Sequence, residues 1–210
     1  MEITCYEIKP IVILKSKIGG TNVKKKKQIK NKNDIIEIRV KRFGAMIIDW
    51  YLSNMFAVIP ITFYFRSGNV LKPDLFDLSN YDFQTALLLG IFGIIVGLIY
   101  YIVIPLLVWK GQTLGKKICK IKVIQTNDEN VTLTTLLLRE IIGQTFLEGG
   151  IVITATYMRK MLPLFHMTSF VNPLKYIAYG LTIISILYAY FQPESQAFHD
   201  KIAKTVVVRQ

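Results

Sequence analysis

Four stretches of this 210-residue chain are too long and too apolar to serve as the core of one small soluble domain. Residues 44–65 and 84–109 each supply about 20 or more mostly apolar residues, which at ~1.5 Å per residue cross a ~30 Å hydrocarbon core. Residues 174–191 form a shorter block that is almost free of charge. Residues 133–158 are apolar but carry Arg139, Glu140 and Glu148. The sequence therefore predicts an all-α membrane protein with about four transmembrane helices, the third over residues 138–158.

Basic residues orient these blocks. The first 43 residues hold 12 Lys or Arg and no apolar run leading to a small-residue cleavage site, so no cleavable signal peptide is expected. If all four blocks span, 21 basic residues fall on one side and five on the other. The positive-inside rule then places both termini in the cytoplasm. The net charge of +12 concentrates in KKKKQIKNKN at residues 24–33. Directly ahead of a first span, such a run predicts an anchor on anionic lipid headgroups, not a nucleic-acid site. Residues 1–40 are read as a flexible basic tail and residues 41–208 as the membrane domain. Twenty lysines against six arginines, with abundant Ile and Asn, point to an AT-rich bacterial genome and hence a bacterial plasma membrane. Cys5 and Cys119 both fall in segments assigned to the cytoplasm and lack Cys-x-x-Cys spacing, so neither a disulfide nor a metal site is expected.

The block at 133–158 is the weak span. A glutamate near the middle of a spanning helix costs about 2.5–3.5 kcal/mol on insertion scales. Gly149-Gly150 weakens the helix further, and an interfacial amphipathic helix is the alternative. In the second block, Gly90, Gly93 and Gly97 place small residues on neighbouring turns, which permits close helix contact within one chain or between two.

Between the second and third blocks lies GQTLGKK, with Gly111, Gly115 and Lys116. It is one residue short of a phosphate-binding loop, and Lys117 stands where Ser or Thr would hold the metal. A membrane helix precedes it in place of a strand, so no nucleotide or other cofactor is expected. The following ICKIKVIQT alternates apolar and polar residues as a short cytoplasmic strand or amphipathic segment does, and NDEN is a turn.

Four pieces in order resemble the RDD family of small polytopic membrane proteins. They are KRFGAMIID (Arg42, Asp49), GQTLGKKICKIKVI (Gly111, Gly115, Lys116), LLLREIIG (Arg139) and QAFHDKIAKTVVV (His199, Asp200). Gln196 and Lys204 depart from the arginine and glycine that often flank the histidine–aspartate pair. The resemblance implies transport of an unspecified ligand, or service as an accessory partner of another membrane protein.

On a helix, Arg42, Asp49 and Ser53 share one face with Ala45 between them, a polar stripe that should meet protein and not lipid. Arg42 and Asp49 lie ~10.5 Å apart along the axis and are not expected to pair with each other. Arg42 is expected on Asp200, and Asp49 on Arg139 or a lysine of residues 111–122. Asp49 is read either as a clasp between helices or as one step of a cation or proton path. Glu148 is the deeper carboxylate and the better carrier on such a path. Catalysis is not expected: His199 and Asp200 are adjacent and should point apart, and no nucleophile is placed near them. Two functions follow. The sharper is cation/proton exchange through Asp49 and Glu148, which with four helices calls for a homo-oligomer. The alternative is a non-catalytic accessory, regulatory or immunity-type subunit that binds a membrane-protein partner through the glycine face or the basic tail.

Overall fold

The computed structural model describes residues 32–64 and 78–210. Among the described residues, three helices are long and apolar enough to cross a membrane. Helix α1, Lys32–Tyr64, begins well before the apolar block, within the stretch read as tail. Residues 1–31, including Cys5 and most of the lysine run, lie outside the described residues. Helix α2, Phe83–Leu98, is capped by Asp82, whose carboxylate accepts from Thr85 N, and it continues as a π-helix through Ile99–Val108.

The expected third span is not one helix. Helix α3, Leu114–Ile118, and strand β1, Ile121–Gln125, precede it. Helix α4, Leu133–Leu137, then runs on as a π-helix, Leu138–Glu148, and ends at Gly149. Gly149 stands at φ 59°, in the left-handed region that favours glycine. After three non-helical residues, the last of them extended, the chain restarts as helix α5, Ile153–Met161. The reason for the break is the glycine pair together with packing. A Cβ on Gly150 would lie 2.4 Å from Thr182 Oγ1, so only glycine fits against the neighbouring helix there.

Helix α5 lies along the glycine face of α2. Built Cβ atoms on Gly90, Gly93 and Gly97 would fall 2.6, 2.5 and 2.6 Å from Met161, Tyr157 and Thr154. The two helices therefore run antiparallel, and Phe165, just beyond α5, meets Phe83 at 6.0 Å between ring centroids. The broken segment thus reaches the Phe83 end of α2 as two half-helices joined at an irregular turn. Helix α6, Thr168–Phe191, returns the chain past the break.

Helix α7, Phe198–Ile202, and strand β2, Thr205–Arg209, close the chain. β1 and β2 pair antiparallel, with Ile121 opposite Arg209 and Gln125 opposite Thr205. The carboxyl-terminal strand was not expected, because its partner lies some 80 residues away in sequence. It tucks Ile121, Val123, Thr205 and Val207 inward, each at most 2% exposed. The ribbon is a small addition to an otherwise helical chain, and it fixes α7 against the broken segment.

Candidate functional site

The polar stripe of α1 is the first wall of the site. Ala45, Asp49 and Ser53 are all buried, as a helical face packed on protein requires. Asp49 is fully engaged. Its Oδ1 accepts from Tyr100 OH at 2.6 Å and Gly115 N at 2.8 Å, and its Oδ2 accepts from Thr113 Oγ1 at 2.5 Å. Lys116 Nζ stands 3.8 Å from Oδ2. Of the two partners expected for Asp49, a lysine of residues 111–122 is the one present, and Arg139 goes elsewhere.

This contact explains the near-miss to a phosphate loop. Gly111, at φ 82°, turns the chain so closely that a Cβ would lie 2.1 Å from Val123 O. Thr113 caps α3, and Gly115 brings its bare backbone to Asp49, where a Cβ would sit 2.7 Å from Oδ1. The glycines and lysine do cradle an anion, and the anion is the chain's own carboxylate. Burial lowers the pKa of Lys116, while the charge of Asp49 opposes that shift.

Asp200 is the second anchor and is wholly buried. Arg42 Nη2 donates to its Oδ2, the pair expected from the sequence. Arg139 Nε donates to Oδ1 at 3.1 Å, and Ala197 N to Oδ2 at 3.2 Å. Burial raises the pKa of Asp200, but attraction to Arg42, His199 and Arg139 outweighs it, so the carboxyl is held well below the usual carboxylate range. Arg139 also donates to Glu140 Oε1 at 2.7 Å. Among the described residues, Glu140 Oε2 is a buried oxygen without a hydrogen-bond partner. Glu140 was not singled out in the sequence, where it looked like one more charge in a poor span.

Glu148 and His199 form the third group. Glu148 Oε1 accepts from Ser185 Oγ at 2.6 Å and His199 N at 3.2 Å, and lies 2.8 Å from His199 Nδ1. His199 Nε2 also comes within 3.5 Å of Asp200 Oδ1. The expectation that His199 and Asp200 point apart therefore fails. Asp200 folds back onto the start of its own helix, and the imidazole reaches both carboxylates. Gly143 lets α7 approach this closely, since a Cβ there would lie 2.5 Å from His199 Cβ.

The irregular turn beside Glu148 has its backbone groups satisfied by protein. Thr182 Oγ1 accepts from Gly150 N at 3.2 Å and lies 3.1 Å from Glu148 O. Arg159 Nη1 donates to Gly149 O. Arg159 thus serves the break. The break is buried in protein, and Gly150, Ile151 and Val152 also line a cavity. Thr182 sits 14 residues into α6 and nine from its end, which puts the break near the middle of that helix.

Arg42, Asp49, Lys116, Arg139, Glu148 and His199 all line one cavity of about 440 Å³ between α1, α6 and the broken segment. The structure thus gathers the residues singled out in the sequence, apart from the buried Asp200 behind the wall and the turn-forming Gly111 and Gly115. Among the described residues no cluster of three or more His, Cys, Asp or Glu is arranged to hold a metal ion. Cys119 is a free thiol whose pKa is raised by burial.

Compared with known proteins, residues 39–204 match the family model described as RDD family. No curated protein and no solved structure matches the chain.

Proposed function

The chain belongs to the RDD family, its family model covering about four fifths of the sequence, and from that premise we propose that it exchanges a small cation for a proton, with Glu148 as the exchanging group. It is an integral membrane protein with apolar helices long enough to cross a bilayer. One observation carries the finer reading: Glu148 sits at the break of a helix, bonded to His199, and lines the cavity. Carboxylates at discontinuous helices are where membrane carriers bind their coupling ions. An imidazole–carboxylate pair can hand a proton to water and take up a cation in its place.

Asp49 has a different part in this reading. With Tyr100, Thr113, Gly115 and Lys116 around it, it locks α1, α2 and α3 together and positions the cavity wall. The broken segment supplies the third crossing. Both termini then lie on the cytoplasmic side of a bacterial plasma membrane, which agrees with the gathering of Lys120, Lys122 and Arg209 at the ribbon end. The chain performs no covalent chemistry, and its basic tail holds anionic lipids. Copies of the chain gather around a shared path.

The accessory reading is weaker, since the glycine face it would offer a partner is covered by α5. Everted vesicles carrying the protein test the choice. Sodium, potassium or lithium added to a preformed proton gradient collapses it in the wild type and leaves it intact in Glu148→Gln at equal protein level. Identical behaviour of both vesicles and empty ones refutes exchange.

A further inference from the structure

We propose that the cleft between α1 and α6 is a binding site for one anionic phospholipid, with Arg39 as its phosphate anchor. The cavity described above opens sideways between these two helices. It continues into a second space of about 450 Å³, the two sharing Met46, Trp50, Gly150 and Ile151. The walls are apolar where they face the bilayer: Phe43 and Trp50 on one side are 58% and 49% exposed, and Ile186 on the other is 42% exposed.

Arg39 stands at the end of this cleft. Its Nε donates to Ser195 Oγ at 2.9 Å, its Nη2 to Gln192 O at 3.0 Å, and its guanidinium lies 4.8 Å from the Tyr190 ring centre. All of these partners are neutral. Arg42 and Arg139, deeper in the same cavity, each rest on a carboxylate, whereas Arg39 has no carboxylate within 4.0 Å among the described residues. A guanidinium with only neutral partners, half-buried at the mouth of an apolar cleft, is complementary to a phosphodiester.

The length of the cleft selects the occupant. From Arg39 to Asn54 is 15 residues of α1, or ~22 Å, and from Tyr190 to Tyr179 is 11 residues of α6, or ~16 Å. One leaflet of hydrocarbon is about half of ~30 Å. The cleft therefore fits one lipid of the leaflet on the Arg39 side, headgroup at the arginine and acyl chain along Met46, Trp50 and Ile186. A partner's transmembrane helix would need a cleft running through both leaflets. The lipid site shares its cavity with Glu148, but its test reads lipid retention and not ion movement, so either proposal can fail alone.

Native mass spectrometry of the full chain in mild detergent tests it, with phosphatidylglycerol or phosphatidylcholine added in turn. The wild type retains one phosphatidylglycerol at concentrations about tenfold below those needed for phosphatidylcholine. Arg39→Gln loses that preference, and Ala189→Trp, which fills the cleft, retains neither lipid. Equal retention of the two lipids by the wild type overturns the proposal, and this comparison requires no variant. An adduct undiminished in Ala189→Trp, displacement of the lipid by inorganic phosphate, or a second chain in place of the lipid overturns it as well.

Discussion

Replacing Asp200 by asparagine removes one charge from a site where two guanidiniums converge. The side chain is wholly buried, and Arg42, Arg139 and Ala197 N all donate to it. Removing one partner from a buried ion pair costs about 3–5 kcal/mol, because the remaining charge is stranded. Asparagine keeps one acceptor oxygen, so the lower end applies. For a chain of about 200 residues each kcal/mol moves Tm by about 2–4 °C, which gives a loss of about 6–12 °C. Thermal unfolding in mild detergent, followed by size-exclusion fluorescence, measures it. The pH dependence follows from sign. The pKa of Asp200 is depressed in the folded chain, so the ionised carboxylate contributes stability above its unfolded value of ~3.9 and loses it as the pH falls through the folded value. The gap between wild type and Asp200→Asn therefore stays constant from pH 8 to about pH 5 and narrows only below about pH 4. A variant melting within about 2 °C of wild type at pH 7, or a gap that closes between pH 7 and 5, refutes the assignment. The double exchange Arg42→Asp with Asp200→Arg does not rescue, since an arginine at 200 would face Arg139.

Other changes read out separate parts of the fold. Asp49→Asn leaves Lys116 without its carboxylate and weakens three hydrogen bonds, so protein level and Tm fall while flux per folded molecule persists; quantified blots beside vesicle flux check this. Gly93→Val drives a side chain into the Tyr157 ring, 2.5 Å from a built Cβ, and costs about 1–3 kcal/mol or more, seen as loss of the folded peak on size exclusion. Arg159→Met uncovers the carbonyls of Gly149 and Gly150 at the helix break, at about 1–3 kcal/mol, and hydrogen exchange at residues 149–152 accelerates.

The apolar blocks announced α2 and α6, and the spacing of Ala45, Asp49 and Ser53 announced which face of α1 is buried. Those signals are local and periodic. The fate of residues 133–158 was half legible: Glu148 and Gly149-Gly150 marked a poor helix, but its bridging by Thr182 and Arg159 depends on side chains 10 or more residues away. Strand β2 was hidden for the same reason, since TVVVR has no meaning as a strand until β1 lies beside it. The pairing of Arg42 with Asp200 followed from the two ends of the chain sharing a side. The convergence of His199 on Glu148 did not, because neighbouring positions on a short helix say nothing about how a carboxylate folds back on its own backbone.

Proton release on cation binding tests the central claim most directly. The purified chain in weakly buffered detergent is titrated with sodium, potassium or lithium chloride while the pH is recorded. The account predicts release of about one proton per chain, as one exchanging imidazole–carboxylate pair requires, from wild type and from folded Asp49→Asn, and none from Glu148→Gln. Undiminished release from Glu148→Gln, or none from the wild type with any of the three cations, contradicts it.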